Sequence, residues 1–157
     1  MIVDLLRNDL SRVSVPGSVR VPALFQVEAY PTVWQMTSTI QATLTPEARL
    51  SDVFRALYPC GSVTGAPKIR AMEIIREVES GPRGVYCGAI GYAGPDGAAA
   101  FSVPIRTIEL SPAGDGWLGT LGLGSGIVWD SRADDEYAEC LLKGQFLTAG
   151  VPASAMV

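Results

Sequence analysis

Three charged side chains near the C-terminus are spaced so that a single helix would place them on one face. Glu136, Glu139 and Lys143 follow one another at intervals of three and four residues, the spacing of neighbours on an α-helix. Two carboxylates one turn apart suit a hard cation such as Mg²⁺, and a lysine one turn further could hold an anionic group. The alternative is a solvated helix face on which Glu139 pairs with Lys143, and spacing alone favours that alternative.

Glycines alternate with other residues through residues 121–128, just before this helix. We expect a strand there, in which Gly122, Gly124 and Gly126 allow another group to approach the backbone closely and expose amides that could bind a carboxylate. A β-bulge or a tight sheet-to-helix junction would explain the glycines equally well. The dinucleotide fingerprint GxGxxG is excluded because position 127 is isoleucine.

A third candidate is the stretch at residues 61–68, in which Ser62 and Thr64 lead into an expected helix. The N-terminus of a helix is a natural place for an anion. The stretch is not a Walker loop, because Lys68 follows Pro67 and no Ser or Thr follows the lysine. The local alternative is an ordinary helix cap formed by Thr64.

A fourth candidate pairs Tyr92 with Arg106, which we expect on neighbouring strands joined by the turn near Gly94. Both side chains could then reach one anionic group. A structural cross-strand pair is the alternative.

These residues need a scaffold of helices and antiparallel strands. Periodicity predicts helices at residues 2–10, from Pro46 to about 58, at 66–78 and at 133–147, the last capped by Ser131. Strands are expected at 18–22, 24–30 and 33–44, followed by an antiparallel meander over 85–128 with turns at 94–97 and 113–116. The predicted fold class is α+β, a largely antiparallel β-sheet packed with helices.

Composition excludes several kinds of chemistry and partner. The chain has 157 residues and no histidine, which rules out Ser-His-Asp triads and imidazole acid–base catalysis. Its net charge of −4, without a basic cluster, argues against nucleic acid as a partner. Three widely spaced cysteines indicate reduced thiols, and no signal peptide or membrane span is recognisable, so we expect a soluble, cytoplasmic protein with no membrane partner.

Several stretches together resemble the chorismate-utilising enzyme family, which includes anthranilate synthase component I, aminodeoxychorismate synthase component I, and isochorismate and salicylate synthases. In order, the stretches are DLLRNDL at 4–10, GSVTGAPK at 61–68, GAIGY at 88–92, IRT at 105–107, GSGI at 124–127 and EYAE at 136–139. The resemblance implies that residues 1–148 are the C-terminal portion of a chorismate-binding domain of the larger anthranilate synthase component I-like fold. Residues 149–157 are expected to be a flexible tail.

The resemblance also implies roles for individual residues. Glu139 would bind Mg²⁺ directly and Glu136 through water, with the metal holding the ring carboxylate of chorismate. Tyr92 and Arg106 would bind the enolpyruvyl carboxylate of chorismate. Gly124, Ser125 and Gly126 would line the substrate pocket. Ser62, Thr64 and the substrate-facing Lys143 would be catalytic residues.

Within the family, Ser62, Thr64 and the absence of a histidine near Trp34 and Gln35 favour the aminodeoxychorismate synthase type. That resemblance implies amination of chorismate with ammonia delivered by a glutamine amidotransferase. Anthranilate synthase component I and isochorismate or salicylate synthase remain alternatives. A non-catalytic, truncated chain is a further alternative, because the family's other metal-binding glutamate, its general-acid glutamate and an attacking lysine precede the stretch that matches Met1.

Overall fold

A computed structural model describes residues 1–31 and 33–148 of the chain. The chain divides into two compact units, the first spanning Met1–Gly81 and the second beginning at Pro82. Each unit combines helices with antiparallel strands, which confirms the predicted fold class. The expected tail at residues 149–157 lies outside the described residues, so that boundary stays a prediction.

The first unit contains four helices. They are α1 (Ile2–Ser11), α2 (Leu50–Leu57), α3 (Gly61–Thr64) and α4 (Lys68–Val78). Helix α2 begins four residues later than Pro46 because its first turn is closed at Arg49, whose N–H donates to the Asp52 carboxylate at 3.0 Å. Helix α4 begins after Pro67, which is extended (φ −65°, ψ 135°) and therefore precedes the helix rather than lying in its first turn.

A long hairpin completes the first unit. Strand β1 (Arg20–Ala29) pairs antiparallel with β2 (Trp34–Gln41), with Ala29 opposite Trp34. The two short strands expected at 18–30 are thus one strand, interrupted by register shifts between Arg20 and Gln26. The irregularity has a local cause, since Pro22 has no N–H to donate and Phe25 adopts φ +53°.

The described residues of the second unit, 82–148, form two separate hairpins and a long helix. Strands β3 (Ile90–Ala93) and β4 (Ala99–Ser102) form one hairpin, β5 (Ile108–Ala113) and β6 (Gly116–Leu121) form the other, and helix α5 spans Ala133–Thr148. The expected continuous meander over 85–128 is wrong. Residues 83–88 form turns, and between β4 and β5 Pro104 and the positive φ of Arg106 (+51°) interrupt the pairing.

Few side chains are buried in the described part of the chain. The buried apolar residues are Val13, Ala56, Cys60 and Cys87, whereas Trp129 is 99% exposed. Extensive exposed apolar surface marks sites of association. No described helix is long and apolar enough to cross a membrane.

One buried ion pair ties the helices of the first unit together. The Lys68 ammonium lies 2.6 Å from the Asp9 carboxylate, and the two side chains are only 19% and 11% exposed. The same ammonium donates to the carbonyl of Ala56 at 3.1 Å. Helices α1, α2 and α4 are therefore joined at one point, next to α3, whose Gly61 contacts Leu5 so closely that a Cβ would lie 3.3 Å from it.

Replacing Lys68 by methionine should destabilise the chain by about 3–5 kcal/mol, because it leaves the Asp9 carboxylate buried without its partner. Urea unfolding followed by circular dichroism measures this loss. Arg55→Met is the matched control, since it removes an exposed pair with Asp52 worth about 0–1 kcal/mol.

The double variant Asp9→Leu with Lys68→Met should recover most of the stability, because both charges are then gone. Equal losses in Lys68→Met and Arg55→Met would show that the buried pair contributes no more than a surface pair.

Candidate functional site

Helix α5 carries the predicted charged stripe. Asp134, Asp135 and Glu136 lie in its first turn, where negative charge interacts favourably with the helix dipole. Ser131 is not the N-cap expected from the sequence, because Arg132 lies between it and the helix. Instead the Ser131 hydroxyl accepts the Val128 N–H at 2.9 Å and donates to the Glu136 carboxylate at 2.5 Å.

Lys143 connects α5 to the glycine-rich stretch that precedes the helix. Its ammonium lies 2.6 Å from the Glu139 carboxylate and donates to the carbonyl of Gly124 at 3.0 Å. The Glu139 and Lys143 side chains are 48% and 30% exposed, so both remain accessible to a ligand. The helical pairing expected from the spacing is therefore present, and it lies within a group that also includes the backbone of Gly124.

Glu136 belongs to the same group. Hydrogen bonds from Ser125 and then Ser131 lower the pKa of Glu136 below its ordinary value of 4.5, and the positive charge of Lys143 acts in the same direction. The carboxylate is therefore ionised throughout the neutral range. The structure thus brings together Glu136, Glu139 and Lys143 with Gly124 and Ser125, five of the residues selected from the sequence.

The glycine segment, which we define as residues 122–126, is not the strand that we expected. Strand β6 ends at Leu121, and the segment follows it in an irregular conformation. Close approach to the backbone is nevertheless confirmed at two positions. A Cβ on Gly122 would lie 2.6 Å from Tyr86 Cδ1, and one on Gly124 would lie 2.8 Å from the Tyr86 hydroxyl, whereas Gly126 faces open space.

Tyr92 and Arg106 are placed differently from each other. Tyr92 lies in β3 opposite Ala100, but Arg106 lies in the connection between β4 and β5 with φ +51°. The expectation that they occupy neighbouring strands is therefore wrong for Arg106. Within the described residues neither side chain has a hydrogen-bond or ion-pair partner, and both are exposed. Both are therefore accessible to a ligand.

Ser62 and Thr64 lie in the short helix α3 of the first unit. Thr64 is the last residue of that helix, and its hydroxyl donates to the Cys60 carbonyl four residues back at 2.9 Å. It does not cap the following helix, so the capping alternative is wrong. Ser62 is exposed.

The two glutamates of α5 fit half of a Mg²⁺ site. Mg²⁺ is bound through one or two carboxylates and keeps several waters, and the accessible Glu139 with the ionised Glu136 provides such ligands. The described part of the chain contains no cluster of three or more acidic, cysteine or histidine side chains that could enclose a metal. Further metal ligands would have to be water, substrate or residues beyond the described ones.

Comparison with known proteins identifies the family. The family of chorismate binding enzymes matches residues 1–149. The chain belongs to this family. It is 48% identical to aminodeoxychorismate synthase of Streptomyces pristinaespiralis over 96% of the chain, and 50% identical to aminodeoxychorismate synthase component 1 of Escherichia coli over 88% of the chain.

The fold agrees with this assignment. The crystal structure of anthranilate synthase component I from Streptococcus pneumoniae superposes on 94% of the chain with a TM-score of 0.80 and 39% identity. The chain spans only 20% and 30% of the two aminodeoxychorismate synthases and 33% of the anthranilate synthase component I chain. The comparison therefore shows the chorismate-binding fold of the chain, and not the activity of a complete protein.

Sequence patterns predicted neither the contact of Tyr86 with the glycine segment nor the hydrogen bond from Ser131 to Glu136. Tyr86 lies far from the glycine segment in the chain, and no spacing rule links the two. Ser131 was selected as a helix cap, and a serine before an acidic helix start gives no sign that its hydroxyl will donate to Glu136 instead. The sequence feature that could have pointed to Tyr86 is its position next to glycine-bearing turns.

Ser125→Ala should raise the pKa of Glu136 toward 4.5, since the Ser125 hydrogen bond is the largest cause of its lowering. A lowered pKa stabilises the folded chain fully above the ordinary value of 4.5, and this stabilisation is lost as pH falls through the folded pKa, so in the variant the contribution should be smaller. Carbon-13 NMR titration of the glutamate carboxyls measures the shift. Ser131→Ala should shift the pKa less, and a larger shift there would contradict the ranking.

Proposed function

We propose that this chain forms the cation- and carboxylate-binding part of an aminodeoxychorismate synthase component I. The complete enzyme would convert chorismate and ammonia into 4-amino-4-deoxychorismate, a precursor of 4-aminobenzoate and folate. The observation that carries the proposal is that Lys143 joins the Glu139 carboxylate to the Gly124 carbonyl, with Ser125 of the same segment acting on Glu136.

The residues of α5 would bind and orient the substrate. Glu139 would hold Mg²⁺ directly and Glu136 through water, and the bound ion would supply positive charge for the ring carboxylate of chorismate. A lysine ammonium has three N–H donors. Glu139 and the Gly124 carbonyl engage Lys143 in the structure, which leaves one donor for a substrate anion.

Tyr92 and Arg106 would bind the second carboxylate, that of the enolpyruvyl group. An arginine fork and a phenol hydroxyl both donate hydrogen bonds to carboxylates, and neither side chain has a competing partner among the described residues. Ser62 and Thr64, in α3, would have the catalytic roles that the family resemblance implies. The Thr64 hydroxyl donates its hydrogen bond to the Cys60 carbonyl. In this arrangement the hydroxyl could only accept a hydrogen bond from a ligand.

Both lysines of the chain already pair with a carboxylate, Lys68 with Asp9 and Lys143 with Glu139. Glu136 and Glu139 would hold a cation, and the sequence contains no histidine. The attacking lysine and the acid that aids departure of the 4-hydroxyl would come from sequence upstream of the stretch matching Met1 in relatives. Ammonia would come from a glutamine amidotransferase partner, and the name component 1 of the E. coli relative implies that this relative has a second component.

Anthranilate synthase component I is the second candidate. The observation that favours it is the TM-score of 0.80 and 39% identity to the Streptococcus pneumoniae anthranilate synthase component I. Both candidates use the same substrate and metal chemistry, so the α5 site does not distinguish them. Ser62 and the higher identity to two aminodeoxychorismate synthases support the first candidate.

The product identifies the reaction directly. A reading frame that contains this chain and the upstream part of its relatives should form 4-amino-4-deoxychorismate from chorismate, Mg²⁺ and ammonium, detected by mass spectrometry. The 157-residue chain alone should form none. Anthranilate as the sole product would establish the second candidate, and salicylate or isochorismate formed without ammonia would contradict both.

Glu139→Gln in that longer protein should lower Mg²⁺-dependent kcat/KM by more than about 100-fold, because even outer ligands of a metal site are worth about 10–100-fold. Steady-state kinetics over a Mg²⁺ titration measures the effect. Glu77→Gln is the matched control, since this glutamate of α4 is exposed, with 65% of its side chain accessible, and lies 3.8 Å from Arg70. Equal activity of the two variants would refute the metal assignment.

A further inference from the structure

Tyr86 contacts the glycine segment directly, although nothing in the function proposed above uses it. Its ring would collide with a Cβ on Gly122, and its hydroxyl would lie 2.8 Å from one on Gly124. The backbone fixes the residue, since the Tyr86 N–H donates to the Arg83 carbonyl at 3.1 Å and the next N–H, of Cys87, donates to Pro104 at 2.9 Å. Tyr86 is therefore held against the segment by its own turn.

Partial burial of the Tyr86 ring further favours its neutral form. Burial raises the pKa of Tyr86 to about 12, and the neighbouring thiols of Cys87 and Cys140 add to the rise. Cys140 belongs to α5, so the tyrosine lies close to this helix as well as to the glycine segment. The Arg83 guanidinium lies 5.9 Å from the ring centroid, a cation–π distance.

The glycine segment meets α5 at three consecutive residues. Leu123 fits against Gly144, where a Cβ would lie only 2.9 Å from Leu123 Cδ1. The Gly124 carbonyl accepts from Lys143, and Ser125 is the largest cause of the lowered pKa of Glu136. Any shift of the segment would therefore move groups that act on two residues of the charged stripe, Lys143 and Glu136.

We propose that Tyr86 is a positioning residue for this site: its ring and hydroxyl set the location of the glycine segment against α5, and through it the placement of Lys143 and Glu136. The proposal rests on the proposed function in that those residues are taken to bind cation and substrate. Interiors are close-packed, so a ring in direct contact with two backbone positions transmits a displacement rather than absorbing it.

The two contacts make different demands on the side chain. Gly122 faces the ring, which Tyr86→Phe retains, so this variant should keep most of the positioning. Tyr86→Leu removes the ring and leaves the segment without support. Gly122→Ala forces a methyl group toward the ring, so that either the segment or the tyrosine must move.

A double-mutant cycle in the longer protein tests the proposal. Gly122→Ala and Tyr86→Leu should each weaken Mn²⁺ binding, measured by electron paramagnetic resonance, about tenfold or more. The combined variant should bind Mn²⁺ no more weakly than either single variant, because the smaller leucine leaves room for the new methyl group. Coupled sites show this non-additivity, whereas independent sites do not.

A matched control separates positioning from loss of stability. Tyr58→Leu removes a partly buried tyrosine of the first unit whose ring centroid lies 5.0 Å from that of Phe54. It should lower the unfolding temperature and leave Mn²⁺ affinity unchanged, while Tyr86→Leu should change both. The NMR shifts of the Gly124, Ser125 and Gly126 amides should move in Tyr86→Leu and not in Tyr58→Leu.

Unchanged amide shifts and Mn²⁺ affinity in folded Tyr86→Leu would overturn the positioning role, as would simply additive losses in the cycle. Failure of the proposed function looks different. If the wild-type longer protein neither turns over chorismate nor binds Mn²⁺, that function fails, while the amide shifts still decide whether Tyr86 sets the position of the segment.

Discussion

The site depends on the position of one ammonium group. Lys143 reaches the Glu139 carboxylate at 2.6 Å and the Gly124 carbonyl at 3.0 Å, and so connects a helix side chain with irregular backbone from before the helix. This connection requires α5 and the segment to lie unusually close, which a side chain at Gly144 would prevent. The glycines are therefore a geometric requirement of the charged stripe and not only a flexible junction.

Local charge decides how an acidic chain would bind the acidic substrate proposed for it. The chain carries a net charge of −4, and Glu136 and Glu139 add negative charge where a dianion would bind. Lys143 balances one of the two carboxylates, and the remaining negative charge favours a second cation. A divalent ion there would reverse the local sign, so net charge and site charge are independent properties of the chain.

The sequence was most informative where function depends on spacing along one element. Helical periodicity placed Glu136, Glu139 and Lys143 on one face, and four of the helices fall close to their expected places. The sequence was least informative where two distant parts of the chain meet. Tyr86 beneath Gly122 is such a contact, and the break of the meander near Arg106 depends on a backbone conformation that residue type does not specify. The resemblance to a family supplied the substrate and metal, which periodicity could not.

The central claim is that α5 holds a divalent cation through Glu139, with substrate above it. Anomalous diffraction from crystals of the longer protein grown with Mn²⁺ and chorismate tests this most directly. The claim predicts an anomalous peak within about 2.5 Å of a Glu139 carboxylate oxygen, with Glu136 beside it. A peak elsewhere, or none, with Glu139 still paired to Lys143 beside bound chorismate, would contradict it.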